Sequence, residues 1–413
     1  METNASLASA LAAYRAGRTA DARAIAEEIW RVSSDARAAG LLALLEIDAT
    51  RLGEALVWND RARAADPGDP RYALQGARIA SLSGDHAGAF DRFAAVLRDA
   101  PRTRGAWSEL ASAARASGRD AEAIGTGIRA FDADPTLAPA LQMLLNLLPD
   151  TPTVQAPVAS LPSSRRRPIS VVVCSDNDAQ YAAMAESYGR ALADWPHEIV
   201  RIADAHSLAE GYTRGIARAM GEIVVFTHDD VEILAADFGE RLARRLGECD
   251  LLGIAGATRA TGPAWPFAGW PYLHGSVIYP EGSGYRVTAY SRNVPVAHGI
   301  RVIDGVFLAM QREIALSIGW DAETCDGFHG YDVDFTLRAA QAGLRLAVAS
   351  DLGVVHRSYG SYDARWEATT RKLTAKHPEL NGERGRETGF VARTVADAAH
   401  AMALVDNWAR MGG

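Results

Sequence analysis

Three prolines, Pro67, Pro101 and Pro135, stand 34 residues apart, and each closes an aspartate-containing phrase: Ala65-Asp66-Pro67, Asp99-Ala100-Pro101 and Ala133-Asp134-Pro135. Ala55, Ala89 and Ala123 keep the same interval, twelve residues ahead of each proline, and Gly84 and Gly118 keep it once more. Proline cannot continue a helix interior, so a recurring proline marks recurring helix ends. Small residues in the same register mark places where two helices approach closely. A shared period of this length assigns residues 1–147 to stacked helix pairs, each burying its apolar face against the next.

The segment resembles the tetratricopeptide repeat family. Its last full unit fits best, with Trp107, Leu110, Ala111, Ala123, Ala130 and Pro135 at the large, small and breaker positions, while the first, around Ala12 to Ser33, is the most degenerate. The resemblance implies a helical solenoid that binds a peptide or protein on its concave face, or that serves as a dimerisation or spacing device.

Residues 148–167 contain four prolines before Arg165-Arg166-Arg167 and lack periodicity, as an extended linker does. The basic residues narrow the chemistry beyond it. Of 43 in the chain, 41 are arginine, and the two lysines are Lys372 and Lys376. A phosphate loop of the Gly-x-x-x-x-Gly-Lys type, a kinase-type ATP lysine and a Schiff-base lysine are therefore excluded from the first 371 residues. The net charge is −8, and acids outnumber bases in both parts, 20 to 17 over residues 1–150 and 31 to 26 beyond. A nucleic-acid-binding domain, which needs a basic face, is disfavoured. Cys174, Cys249 and Cys325 are odd in number and widely spaced, as buried thiols rather than a disulfide framework or zinc site. The chain starts without a signal-peptide pattern and has no apolar run of membrane-spanning length, so cytoplasmic residence and no transmembrane segment are expected.

From Pro168 onward, short β-branched runs alternate with helical stretches, the pattern of an α/β sheet. Strands are predicted at Ile169–Cys174, Glu198–Ile202 and Gly221–Phe226, with helices over 179–194 and 208–220 between them. The third strand runs into Thr227-His228-Asp229-Asp230-Val231, which sets acids at a strand's carboxyl end, where open α/β sheets bind their ligands. No Gly-x-Gly-x-x-Gly follows the first strand, and a dinucleotide site is unlikely on that ground. About 100 residues on, Asp304-Gly305-Val306-Phe307-Leu308-Ala309-Met310 reads as a strand. It is followed by a helix opening at Phe328-His329-Gly330-Tyr331-Asp332-Val333-Asp334 and by strands ending in Val354-Val355-His356.

This succession, over residues 168–380, resembles family 2 glycosyltransferases of the GT-A fold, in a variant whose Asp-x-Asp motif begins with histidine. The resemblance implies a nucleotide-diphospho-sugar transferase acting with inversion, of the hexosyl- or N-acetylhexosaminyltransferase class, with a UDP-sugar favoured as donor and a protein or glycan as acceptor. It assigns a divalent cation, Mn2+ or Mg2+, to Asp230 and His356. Asp229 falls nearer the ribose or diphosphate, Asp204 and Asp176 compete for the nucleoside, and Asp304 faces the donor sugar. Asp332 matches the catalytic base, expected as an exposed carboxylate at a helix start. Tyr331 stands where the family has glutamate, which keeps Asp334 in view as an alternative base.

Further positions stay open in sequence. Trp265 and Trp270, in an aromatic segment between Gly and Pro, are either an acceptor platform or the pins of a loop, and His329 is equally open. Residues 381–413 read as a polar turn and an amphipathic helix from about Phe390 to Arg410, docking on the domain or on a second copy in a homodimer. A rival reading, drawn from the missing first acid and Tyr331, is an inactive transferase-like scaffold. A chain that binds diphosphate without lysine must use arginine, backbone amides or a cation, which points to metal dependence.

Overall fold

A computed structural model of the chain describes residues 6–151, 162, 166–291, 294–358, 360, 364–385 and 389–411. The chain divides into two compact units, Met1–Leu147 and Leu148–Gly413. Most of the proline-rich stretch expected as a linker, Arg165 included, lies outside the described residues.

The first unit is all helical: α1 (Leu7–Arg15), α2 (Thr19–Ser33), α3 (Ala36–Asp48), α4 (Leu52–Ala65), α5 (Pro70–Leu82), α6 (His86–Asp99), α7 (Ala106–Ser117), α8 (Asp120–Ala133) and α9 (Ala138–Leu147). Helices α4, α6 and α8 begin 34 residues apart, and Pro67, Pro101 and Pro135 each follow one of them by two residues. The periodic Ala55, Ala89 and Ala123 are fully buried. Gly84 and Gly118 turn the chain between paired helices at φ +82° and +71°, a backbone region in which a side chain is strained. Asp69 and Asp85 cap the next helices by accepting from the backbone N–H of Arg71 and Gly88, each cap being worth about 1 kcal/mol. These are the helix pairs of a tetratricopeptide-like solenoid.

The second unit is α/β. Its first half alternates β1 (Ile169–Cys174), α10 (Asp178–Ala191), β2 (His197–Ile202), α11 (Leu208–Arg218) and β3 (Ile223–Thr227), then β4 (Val231–Ile233), α12 (Phe238–Leu246), β5 (Leu251–Gly253) and β6 (Ala255–Ala257). After a 3-10 turn at Trp265–Ala268 come β7 (Leu273–Glu281), β8 (Gly284–Ala289), β9 (Val296–Ile300), β10 (Val302–Ile303), β11 (Phe307–Gln311), α13 (Arg312–Ile318) and α14 (Tyr331–Gln341). The remainder is β12 (Leu346–Ala349), β13 (Val354–His356), α15 (Ala364–Lys376), β14 (Val391–Val395) and α16 (Ala398–Arg410).

One sheet has the order β2-β1-β3-β11-β5-β12-β9, with β2, β1 and β3 parallel and β11 antiparallel to β3. Its central strands are continuous apolar runs because both faces are covered; Ile169, Val171, Val172, Val224 and Phe226 are essentially inaccessible. A second path runs β10-β6-β7-β13-β4, with β8 on β7 and β14 on β8. No helix among the described residues is long and apolar enough to cross a membrane.

The tail departs from the expected single helix. Val391–Val395 is a strand paired antiparallel with Gly284–Ala289, because an alternating β-branched segment supplies the hydrogen bonds that β8 would otherwise lack on that side. The helix starts only at Ala398, capped by Asp397, and buries Ala401, Leu404, Val405 and Trp408. Arg241 of α12 pairs with Asp406, so the helix docks on its own unit.

Candidate active site

Strand β3 is buried throughout and ends at Thr227, which lies opposite Phe307 in the antiparallel β3–β11 register. The acidic motif at the end of β3 thus meets the turn that opens β11, His228 N–H donating to the Val306 carbonyl at 3.4 Å. Three residues on, β4 pairs with β13 so that Val231 faces His356. Strand pairing alone therefore carries His356 to the acidic motif across more than 120 residues of chain. The Asp230 carboxylate lies 3.5 Å from His356 Nε2, the rings of His228 and His356 are 5.4 Å apart, and one donor atom from each of His228, Asp230 and His356 falls within 4.8 Å of the others. Two imidazoles and a carboxylate form a donor set that suits a divalent transition ion, and the three lie close enough together to share one.

The family resemblance assigns the cation to Asp230 and His356, with His228 standing in place of an acid. The structure places His228 in the cluster as a third donor. Burial, then the neighbouring His356, holds its imidazole below the ordinary value, so the ring is neutral near pH 7 and keeps a lone pair. Its Nε2 is 2.7 Å from the Tyr331 hydroxyl.

Asp332 sits in the first turn of α14, which begins after Gly330 at φ +72°. It is partly buried rather than exposed as expected, because the β11 turn closes over it: Gly305 N–H donates to Asp332 Oδ2 at 3.1 Å. The contact requires glycine, since a Cβ at 305 would fall 2.2 Å from the Tyr331 hydroxyl and 2.9 Å from Asp332 Cβ. Burial, and then the charge of Asp304, pushes the Asp332 carboxyl up to about 7. Asp304 itself accepts from Trp265 Nε1 at 2.7 Å and from Val306 N–H at 3.0 Å.

Asp334 has the opposite surroundings. Burial works against its charge, yet Lys376 at 2.6 Å, His377 at 2.8 Å and Arg338 at 2.8 Å hold it below the usual carboxylate range. With its oxygens enclosed by three donors and its side chain 1% exposed, Asp334 ties α14 to α15 and has no opening toward an acceptor. The alternative base falls away on this geometry.

A cleft of about 650 Å3 runs from the motif toward β1 and β2, lined by Ser175, Asp176, Asp204, His206, His228, Asp229, Asp230 and Phe328 among others. Ser175 donates to Asp229 at 2.6 Å, joining the β1 loop to the motif. Asp176 is exposed on the cleft; Asp204 is exposed too, held by Arg214 at 2.8 Å and below its ordinary pKa by that guanidinium. Burial pushes the Cys174 thiol up to about 12, which removes it as a nucleophile.

The tryptophans resolve toward pins. Trp265 and Trp270 are each 5% exposed, and their indole N–H groups are spent on Asp304 and the Tyr290 carbonyl, so neither offers an open face to a sugar. The exposed aromatic at the cleft is Phe328, half-exposed and unpredicted as a contact. His329, half-buried beside it, is not among the lining residues.

The sequence profile described as a glycosyltransferase-like family matches residues 170–377, half of the chain. The chain belongs to this family. His228, Asp230, Asp332 and His356 all lie inside the matched segment; the helical repeats and α16 lie outside it. No curated protein matches the chain. Among solved structures, the chain is similar to Pseudomonas aeruginosa PilF at 15% identity, over 34% of this chain and 65% of that one, with a TM-score of 0.29. It is also similar to the MamA RS-1 ArsTM double mutant at 17% identity, over 33% and 78%, with a TM-score of 0.29. The chain thus spans just under two thirds of PilF.

Proposed function

We propose that the chain is a metal-dependent, inverting glycosyltransferase that moves a sugar from a nucleotide diphosphate sugar to a protein or glycan acceptor. The observation that carries this reading is the convergence of His228, Asp230 and His356 in the family's matched segment, His228 and Asp230 lining the cleft and Tyr331, next to the partly buried carboxylate Asp332, meeting His228. Inversion needs a single displacement: the acceptor oxygen forms its bond to the anomeric carbon as the bond to the diphosphate breaks, and a base takes the acceptor proton. Asp332 fits that role because a carboxyl titrating at about 7 is half in its basic form at neutral pH and binds the transferred proton well. Asp304, which accepts from Trp265 Nε1 and Val306 N–H, lies beside it, and its charge adds to burial in keeping the Asp332 pKa high.

His228, Asp230 and His356 would hold a divalent cation, which when bound supplies positive charge for the departing diphosphate; Mn2+ suits the two imidazoles better than Mg2+. The chain has no lysine before position 372 to do so. Asp176, Asp204 and Asp229 line the part of the cleft reached by β1 and β2 and would orient the nucleoside through its hydroxyls and ring N–H groups. The repeat domain, residues 1–147, would recruit the acceptor or a partner protein. Supplying a panel of nucleotide diphosphate sugars with manganese or with EDTA, and measuring nucleoside diphosphate release, tests the reading. Manganese-dependent release supports it; no release from any donor under either condition favours the inactive scaffold.

A further inference from the structure

Tyr331 occupies the position at which the resemblance to family 2 enzymes calls for an acid, and His228 occupies another. The structure joins these two departures. The Tyr331 ring is buried, 5.7 Å from Tyr212 and 6.0 Å from Trp320 between ring centres, so the phenol has little freedom to turn away. Its hydroxyl lies 2.7 Å from His228 Nε2. Room for it exists because residue 305 is glycine, where a Cβ would fall 2.2 Å from the hydroxyl oxygen.

A neutral imidazole has one proton and two nitrogens, and only the unprotonated nitrogen can bind a cation. A carboxylate has two equivalent oxygens and needs no such selection. With Nε2 engaged by the phenol, the donor left to His228 is Nδ1, and it is available only if the proton sits on Nε2. We propose that Tyr331 is a positioning residue whose hydroxyl accepts the His228 Nε2–H, fixing the ring's rotation and the tautomer that leaves Nδ1 free to bind a divalent cation with Asp230 and His356. The His228–Tyr331 pair then replaces two acids together, and Tyr331 is no sign of lost function. The inference rests on the cation reading given under Proposed function.

Two measurements on the full chain test it. In metal-free protein labelled with 15N-histidine, long-range 15N–1H NMR reports the tautomer directly. Wild type is expected to show His228 protonated at Nε2, and Tyr331→Phe a mixture of tautomers. Protonation at Nδ1 in wild type, or an unchanged pattern in Tyr331→Phe, overturns the proposal whatever the metal does. Titration with Mn2+ alone then follows for wild type, Tyr331→Phe, His228→Asp and the double variant. Tyr331→Phe is expected to weaken Mn2+ binding by about 10–100-fold when residue 228 is histidine, and by less than about 2-fold when it is aspartate. Equal losses in both backgrounds would make Tyr331 a packing residue and refute positioning. If wild type binds no Mn2+, the cation reading fails; if wild type binds and Tyr331→Phe binds equally well, the positioning role alone fails.

Discussion

Asp332→Asn should inactivate transfer and at the same time stabilise the fold, in a pH-dependent way that follows from the carboxyl's surroundings. The carboxyl titrates at about 7 in the folded chain against 3.8 in an unfolded one. The folded state therefore binds this proton more tightly, and ionising Asp332 costs stability. The cost is absent below about pH 4, grows as pH rises toward 7 and is complete above it. A gap of roughly three pKa units at about 1.4 kcal/mol each sets a ceiling of about 4 kcal/mol. Asp332 is only partly buried, and water reaching it reduces the expected figure to about 2 kcal/mol. Asparagine keeps an acceptor for Gly305 N–H and carries no charge. In the absence of divalent metal, the melting transition of the transferase unit should rise by roughly 4–8 °C at pH 8 and match wild type at pH 4. Calorimetric scans of both proteins at four or five pH values provide the assay. A shift independent of pH, or destabilisation at pH 8, would refute the claim that this carboxylate is held at a raised pKa.

Asp334→Ala should destabilise the transferase unit by about 3–5 kcal/mol, because it leaves Arg338, Lys376 and His377 facing one another without their shared anion. Its folded pKa is depressed, so wild type holds this contribution above about pH 4 and loses it as pH falls through the folded value; the gap in urea unfolding between the two proteins should therefore narrow in strong acid. Gly305→Ala should cost about 1–3 kcal/mol in the same assay, since the added methyl would overlap the Tyr331 hydroxyl and Asp332 Cβ; a neutral result would mean that the turn before β11 adapts freely.

The repeats were legible because their markers are local and periodic: a proline ends a helix wherever it stands, and Pro67, Pro101 and Pro135 mark helix ends in the structure. The strands β1 and β3 were legible for a similar reason, since a run such as Val171-Val172-Val173 is apolar on both faces. What failed depended on neighbours distant in sequence. Val391 and Val395 fit a helical period as well as an alternating one, and the strand β8 beside them decides between the two. Trp265 and Trp270 would have the same sequence signature in an open platform as in a buried loop. Asp332 and Asp334 are two residues apart at a helix start, hence about 200° apart around its axis. One meets Gly305 and the other meets α15, a difference set wholly by packing. His228 looked like a missing acid because its partner His356 reaches it only through the β4–β13 pairing. The scarcity of lysine has a structural counterpart as well: Lys372 and Lys376, both on α15, pair with Asp326 and Asp321 of the segment that leads into α14.

In the proposed mechanism, His228, Asp230 and His356 hold a cation through which a nucleotide diphosphate is recognised. Calorimetric titration of the full chain with UDP and GDP, in manganese and in EDTA, measures this most directly. At least one nucleotide is expected to bind in manganese, with affinity that falls by an order of magnitude or more in EDTA and in Asp230→Ala. Binding of equal strength with and without the cation, or unchanged by Asp230→Ala, would contradict it.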